Sequence, residues 1–143
     1  MDVLPTLERL REHLADLPLR EIEAAAGLNG AMNGIRAVPA VYVIPLSERG
    51  IQLPHTGTVD QLERRLVGIV LAVEAIDTRG GAGALDLAAL RGRIKKALVG
   101  WVPEPDTGEP VTFQGGDLVD FPGDGRLWWA DEYLLTGYFR SEQ

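Results

Sequence analysis

The stretch that most constrains this chain is "GRLWWADEYLLTGYFR", residues 125–140. Its aromatic and apolar content predicts a strand. Read with a period of two, one side carries Leu127, Trp129, Asp131, Tyr133, Leu135, Gly137 and Phe139, and the other Trp128, Ala130, Glu132, Leu134, Thr136, Tyr138 and Arg140. A half-buried strand is apolar on one side only, whereas this one has large apolar groups on both. The odd side is the richer and is expected to face the core. Something must then cover Trp128, Leu134 and Tyr138.

The rest of the chain supplies the elements such a strand can pair with. Leu4, Leu7, Leu10, Leu14 and Leu17 recur at spacings of three and four and predict a helix of about four turns. Asp2 is placed to cap it, and Pro18 to stop it. Residues 19–26 can extend as a short strand, although alanine disfavours it, and the Gly and Asn residues of 27–35 predict a turn or loop. "PAVYVIPL" at 39–46 reads as a strand, and 47–60 as a long polar loop, a length that is usually functional or mobile. Residues 62–75 form a long strand, apolar from Leu66 to Val73 and therefore central.

After a Gly-rich break at 77–83, residues 86–99 predict a second helix with Leu87, Leu90, Ile94, Ala97 and Leu98 on one face. Its basic residues Arg91, Arg93, Lys95 and Lys96 suit the dipole of its last turns, and Gly100 suits the position just past its end. A Pro-rich acidic loop follows at 103–110, then a hairpin or bulged strand pair around Gly115 and Gly116. The expected fold is α+β: one domain over 1–143, a largely antiparallel sheet of about four to five strands, and two helices packed on one face.

Chemistry is sparse. Without cysteine there is no disulfide, thiolate metal site or thiol nucleophile. Ser47 and Ser141 lie in no nucleophile motif, and His13 and His55 have no ligand-spaced neighbours. "GGAGALD" at 80–86 resembles a dinucleotide-binding loop, but Asp86 replaces the third glycine and no parallel strand follows the helix. Glu104, Asp106 and Glu109 crowd one loop without the spacing of a calcium site. No catalytic, cofactor or metal site is expected. The net charge of −7 lies wholly in residues 101–143, where nine acids face Arg126 and Arg140. An acidic chain repels phosphates, which argues against direct, sequence-specific nucleic-acid binding. No apolar run is long enough to span a membrane. The charged amphipathic start lacks a signal peptide's apolar stretch, so synthesis in the cytoplasm is expected.

The C-terminal part carries an ordered set of motifs: Gly100, Trp101 and Pro103; Phe113 and Gly116; Asp120 and Phe121; Trp128, Trp129 and Asp131; Tyr138 and Arg140. With "PAVYVIPLSER" and "GIVLAVEA" upstream, the chain from about 40 to 140 resembles the tail terminator, or tail completion, proteins of Mu-like phages and prophages. The resemblance implies a structural role without catalysis. Such proteins form a hexameric ring that caps the tail tube, stops its growth and offers a docking surface to the head connector. It implies the virion tail as location, and the tube protein, the connector and other copies of the chain as partners. It also implies a cover for the second side of the last strand: a neighbouring subunit against Trp128, Leu134 and Tyr138. The 47–60 loop, with Ile51, Leu53 and His55, would then reach the tube or the connector. The alternative is another small tail-tube or connector subunit of a phage-like or secretion apparatus. A monomeric binding module and a nucleotide-dependent enzyme follow behind it.

Overall fold

The computed structural model describes residues 1–34, 37–54, 59–74, 86–120 and 125–140. Along the chain run α1 (Leu4–His13), β1 (Glu21–Ala24), α2 (Leu28–Gly34), β2 (Ala40–Gln52), β3 (Asp60–Glu74), α3 (Leu87–Leu98), β4 (Thr112–Asp120) and β5 (Arg126–Arg140). The five strands form one sheet in the order β1-β2-β3-β5-β4. β1 runs parallel to β2 and every other pair is antiparallel. This is the α+β class expected, and β3 is central, as its unbroken apolar run requires.

Side chains alternate between the sheet's two faces, and the alternation divides the core in two. On the first face Val41, Val43, Val67, Ile69, Leu71, Tyr133 and Leu135 pack against Leu7 and Leu10 of α1 and Leu90, Ile94 and Leu98 of α3. On the second, Ala40, Tyr42, Ile44, Val70, Ala72 and Trp128 pack with Ala31 of α2. The odd side of β5 therefore faces the larger core, as read from the sequence. α3 starts at Asp86, whose carboxylate accepts the Ala89 N–H at 2.7 Å, so the residue that breaks the dinucleotide pattern is a helix cap. Residues 80–85 of that pattern lie outside the described residues. Gly100, at φ +88°, ends α3 in the left-handed region as anticipated.

Four expectations are corrected. The 27–35 segment contains a seven-residue helix, α2, despite its Gly and Asn residues. Burial of Ala31 against the sheet outweighs propensities that disfavour helix by up to about 1 kcal/mol per glycine. Three helices thus cover both faces, rather than two covering one. The first helix ends at His13, and Leu14 and Leu17 reach the core from the turn beyond it. β4 is a single strand, not a hairpin, with register shifts against β5 between Phe113 and Gly115 and between Leu118 and Asp120.

The fourth correction matters most. Half of the presumed 47–60 loop, Ser47–Gln52 and Asp60, is strand. Ser47 to Gln52 of β2 pair with Leu66 to Gln61 of β3, after a bulge between Pro45 and Ser47. β3 in turn pairs with β5 from Asp60↔Arg140 to Arg65↔Leu135. β1 accompanies β2 only from Ala40 to Val43, and β4 meets β5 no further along than Leu134. Three strands therefore continue past the rest of the sheet as an extension.

Candidate assembly surface

The extension has two unlike faces. On the side continuous with the larger core, the Arg65 guanidinium lies across Gly137, where a Cβ would come within 2.6 Å of its Cζ. Arg65 donates Nε to Glu48 at 3.2 Å, Nη2 to Glu63 at 2.8 Å and Nη1 to Glu104 at 2.8 Å. The other oxygen of Glu104 accepts the Tyr138 backbone N–H at 3.1 Å. Burial opposes the Arg65 charge, but hydrogen bonds to Glu63 and Glu104 outweigh it and raise the pKa above its ordinary value. One arginine thus fastens the loop after Pro103 to β2, β3 and the free edge of β5. Glu104, a member of the acidic loop, is engaged in this contact. Among the described residues no three His, Asp or Glu side chains are grouped as metal ligands.

Among the described residues the opposite face has no such cover. Ile51, Leu62 and Tyr138 are direct cross-strand partners and form one apolar row. Leu66 and Leu134 form another, and Leu46 lies over Gly68 beside it. None of these residues belongs to either buried cluster. Ile51 is 38% and Leu46 44% exposed, and the others are half-buried. Between the rows stand Arg49 and Arg64, exposed and directly opposite one another.

The structure brings Ile51, Leu134 and Tyr138 onto this one surface, although the sequence reading divided them between a loop and an interface. Leu53 follows β2 and is half-buried, its N–H donating to the Asp60 carbonyl at 3.1 Å; His55 lies outside the described residues. Trp128 requires a correction. It is 3% exposed and packed among Ala31, Tyr42, Ile44 and Ala72 of its own chain, so its cover is intramolecular. Sequence reasoning missed Leu62, Arg64 and Leu66, whose signal was the alternation in "LERRL" within a segment already read as strand.

Several motif residues form a separate, internal cluster. Asp131 is fully buried and accepts Nε of Arg91 at 2.9 Å, Nη2 of Arg91 at 2.9 Å and the indole N–H of Trp129 at 2.9 Å. The Arg91 guanidinium lies 4.6 Å from the Trp129 ring centre. The hydrogen bonds to Asp131 raise the Arg91 pKa, burial working against them. Gly116 is paired with Asp131 across β4 and β5, and a Cβ there would overlap the Asp131 carboxylate and stand 2.8 Å from Trp129 Nε1. Trp101 sits under Arg9 at 4.9 Å, and its carbonyl accepts the Val111 N–H at 2.7 Å. Phe113 meets Tyr133 edge-on with Lys95 4.1 Å above it. These groups are engaged with one another inside the fold. Phe121 and the side chains of Asp120 and Arg140 lie outside the described residues.

A Gly116→Ala variant is expected to lose about 1–3 kcal/mol of stability, as overpacking does, measured by denaturant unfolding. A variant as stable as the parent would show that the Asp131 site can give way.

Among the described residues no helix is long and apolar enough to cross a membrane. The family model for phage tail terminator proteins matches residues 1–143, the whole sequence. No curated protein is significantly similar to it.

Proposed function

The chain belongs to the phage tail terminator family, a family of structural tail proteins, and from that premise we propose that it caps the tail tube, ends its polymerisation and presents the surface to which the head is joined. In this reading it acts as a ring of identical subunits, hexameric by resemblance, is made in the host cytoplasm and ends in the virion tail. Its partners are the tube protein, the head–tail connector and other copies of itself. The observation that carries the reading is the uncovered face of the three-stranded extension. Its rows Ile51–Leu62–Tyr138 and Leu66–Leu134 are apolar, partly exposed and continuous with the sheet. Such a surface on a soluble chain marks a protein contact. The internal commitment of Asp131, Arg91 and Trp129 supports a role without catalysis.

Leu53 follows Ile51 and Gln52 at the far end of the extension, and we assign the 53–59 segment, which includes His55, to the tube or the connector.

The test is tube polymerisation followed by electron microscopy. Purified protein added during growth is expected to halt elongation and leave a cap at one end. A variant whose 53–59 segment is replaced by a two-residue turn is expected to stay folded and fail to halt it. Tubes that elongate unchanged in the presence of the parent protein would refute the capping role. A shortened variant that caps normally would remove the turn from it.

A further inference from the structure

A ring, the reading on which this inference rests, needs two different surfaces on each copy. We infer that the Arg49–Arg64 face of the extension in one copy docks against the acidic free edge of the sheet in the next copy, formed by β4 and the loop before it.

The first observation is the isolation of those two arginines. Like charges directly opposite in a sheet are destabilising, yet Arg49 and Arg64 are cross-strand partners. Both are exposed, and neither has a counter-ion among the described residues. Other arginines are neutralised within the chain: Arg65 by three carboxylates, Arg91 by Asp131, Arg93 by Asp16 and Arg11 by Glu23. On a chain of net charge −7, two uncompensated cations between apolar rows form a surface specific for an acidic partner.

The chain itself supplies that partner. Asp117 on β4, with Asp106 and Glu109 in the preceding loop, is exposed and in no ion pair among the described residues. Next to Asp117 along β4 stands Leu118, 53% exposed and paired with Trp129, whereas Asp117 pairs with Ala130, so the two lie on opposite faces of the sheet. The complementarity is therefore one of charge: exposed carboxylates for exposed guanidiniums.

Position gives the third argument. In the order β1-β2-β3-β5-β4, the cationic face lies toward the β2 side and the acids lie on the β4 edge. Among the described residues β2 has no partner on its outer side past Val43, and β4 has none along its outer side. Contact between a face across β2 and β3 in one copy and the β4 side in the next joins two different patches and is heterologous, and heterologous contacts are the kind that close into rings.

Three variants test this: Arg49→Glu with Arg64→Glu; Asp106→Lys, Glu109→Lys and Asp117→Lys; and an equimolar mixture of the two. Subunit association is read by light scattering across a concentration series at low salt, and by crosslinking on polymerised tubes, with thermal melts as the folding control. All reversed positions are exposed, so melting is expected to stay at the parent value. Each variant alone should need at least about tenfold more protein to associate. The mixture should recover, because each reversed face then meets a reversed partner in an alternating ring. Variants that associate like the parent, or a mixture that does not recover, would overturn this docking and leave the ring reading standing. A variant that associates normally but no longer binds tubes would assign its face to the tube protein and overturn it equally. A parent chain that stays monomeric both at millimolar concentration and on tubes would refute the ring reading itself, and this inference with it.

Discussion

Trp128→Ala is expected to lower the unfolding free energy by roughly 3–5 kcal/mol, the cost of emptying a large aromatic site in a core. The site is closed: the ring is 3% exposed between the sheet and α2, and Ala31, Ala40 and Ala72 around it are too small to fill the space. For a domain of this size the loss corresponds to a fall in melting temperature on the order of 10 °C. Trp129→Ala is expected to cost less, since that ring is only half-buried and part of its contribution is the hydrogen bond to Asp131 and the contact with Arg91. The alternation argument, which placed Trp129 in the core and Trp128 at an interface, gives the reverse order. Denaturant unfolding of both variants decides between them. A Trp128→Ala chain that kept its stability and lost only its oligomers would restore the interface assignment.

The second large effect is expected at Asp131. Breaking a buried ion pair by removing one partner typically costs about 3–5 kcal/mol. Asp131→Ala should fall at the low end, because the Arg91 side chain is 24% exposed and can recover some hydration. The Trp129 indole N–H also loses its acceptor. The companion measurement is Arg91→Met, alone and combined with Asp131→Ala. The double variant is expected to lose less than the sum of the two singles, because the second change removes a group the first has already stranded. Additive losses would mean that the two side chains stabilise the fold independently.

What could be read from the sequence followed the strength of its periodicity. The leucines of α1, the apolar face of α3 and the run from Leu66 to Val73 each announce their conformation, and the α+β class follows from them. The richer side of β5 was also legible, since Tyr133 and Leu135 do face the larger core. Segments whose structure is set by distant partners were not legible. α2 has the composition of a loop and becomes helix because Ala31 can be buried on the sheet. Ser47–Gln52 has the polarity of a loop and becomes strand because β3 lies alongside it. Trp128 misled for the same reason: without α2, the second side of β5 had no visible cover. The surface itself was half legible, as Ile51, Leu134 and Tyr138 were singled out for separate reasons and the register joins them.

The closure of both sheet faces by the chain's own helices separates two events in time. A subunit that needed a neighbour to bury Trp128 could not persist alone, and its folding would depend on its concentration. Among the described residues this subunit buries Trp128 within its own chain and leaves the apolar rows on one face of the extension partly exposed. In the proposed role such a subunit is expected to accumulate as a ready pool while the tube is still growing. For a protein proposed to act at the end of that growth, the moment of action is then set by the appearance of the tube's terminus, not by the rate at which subunits fold.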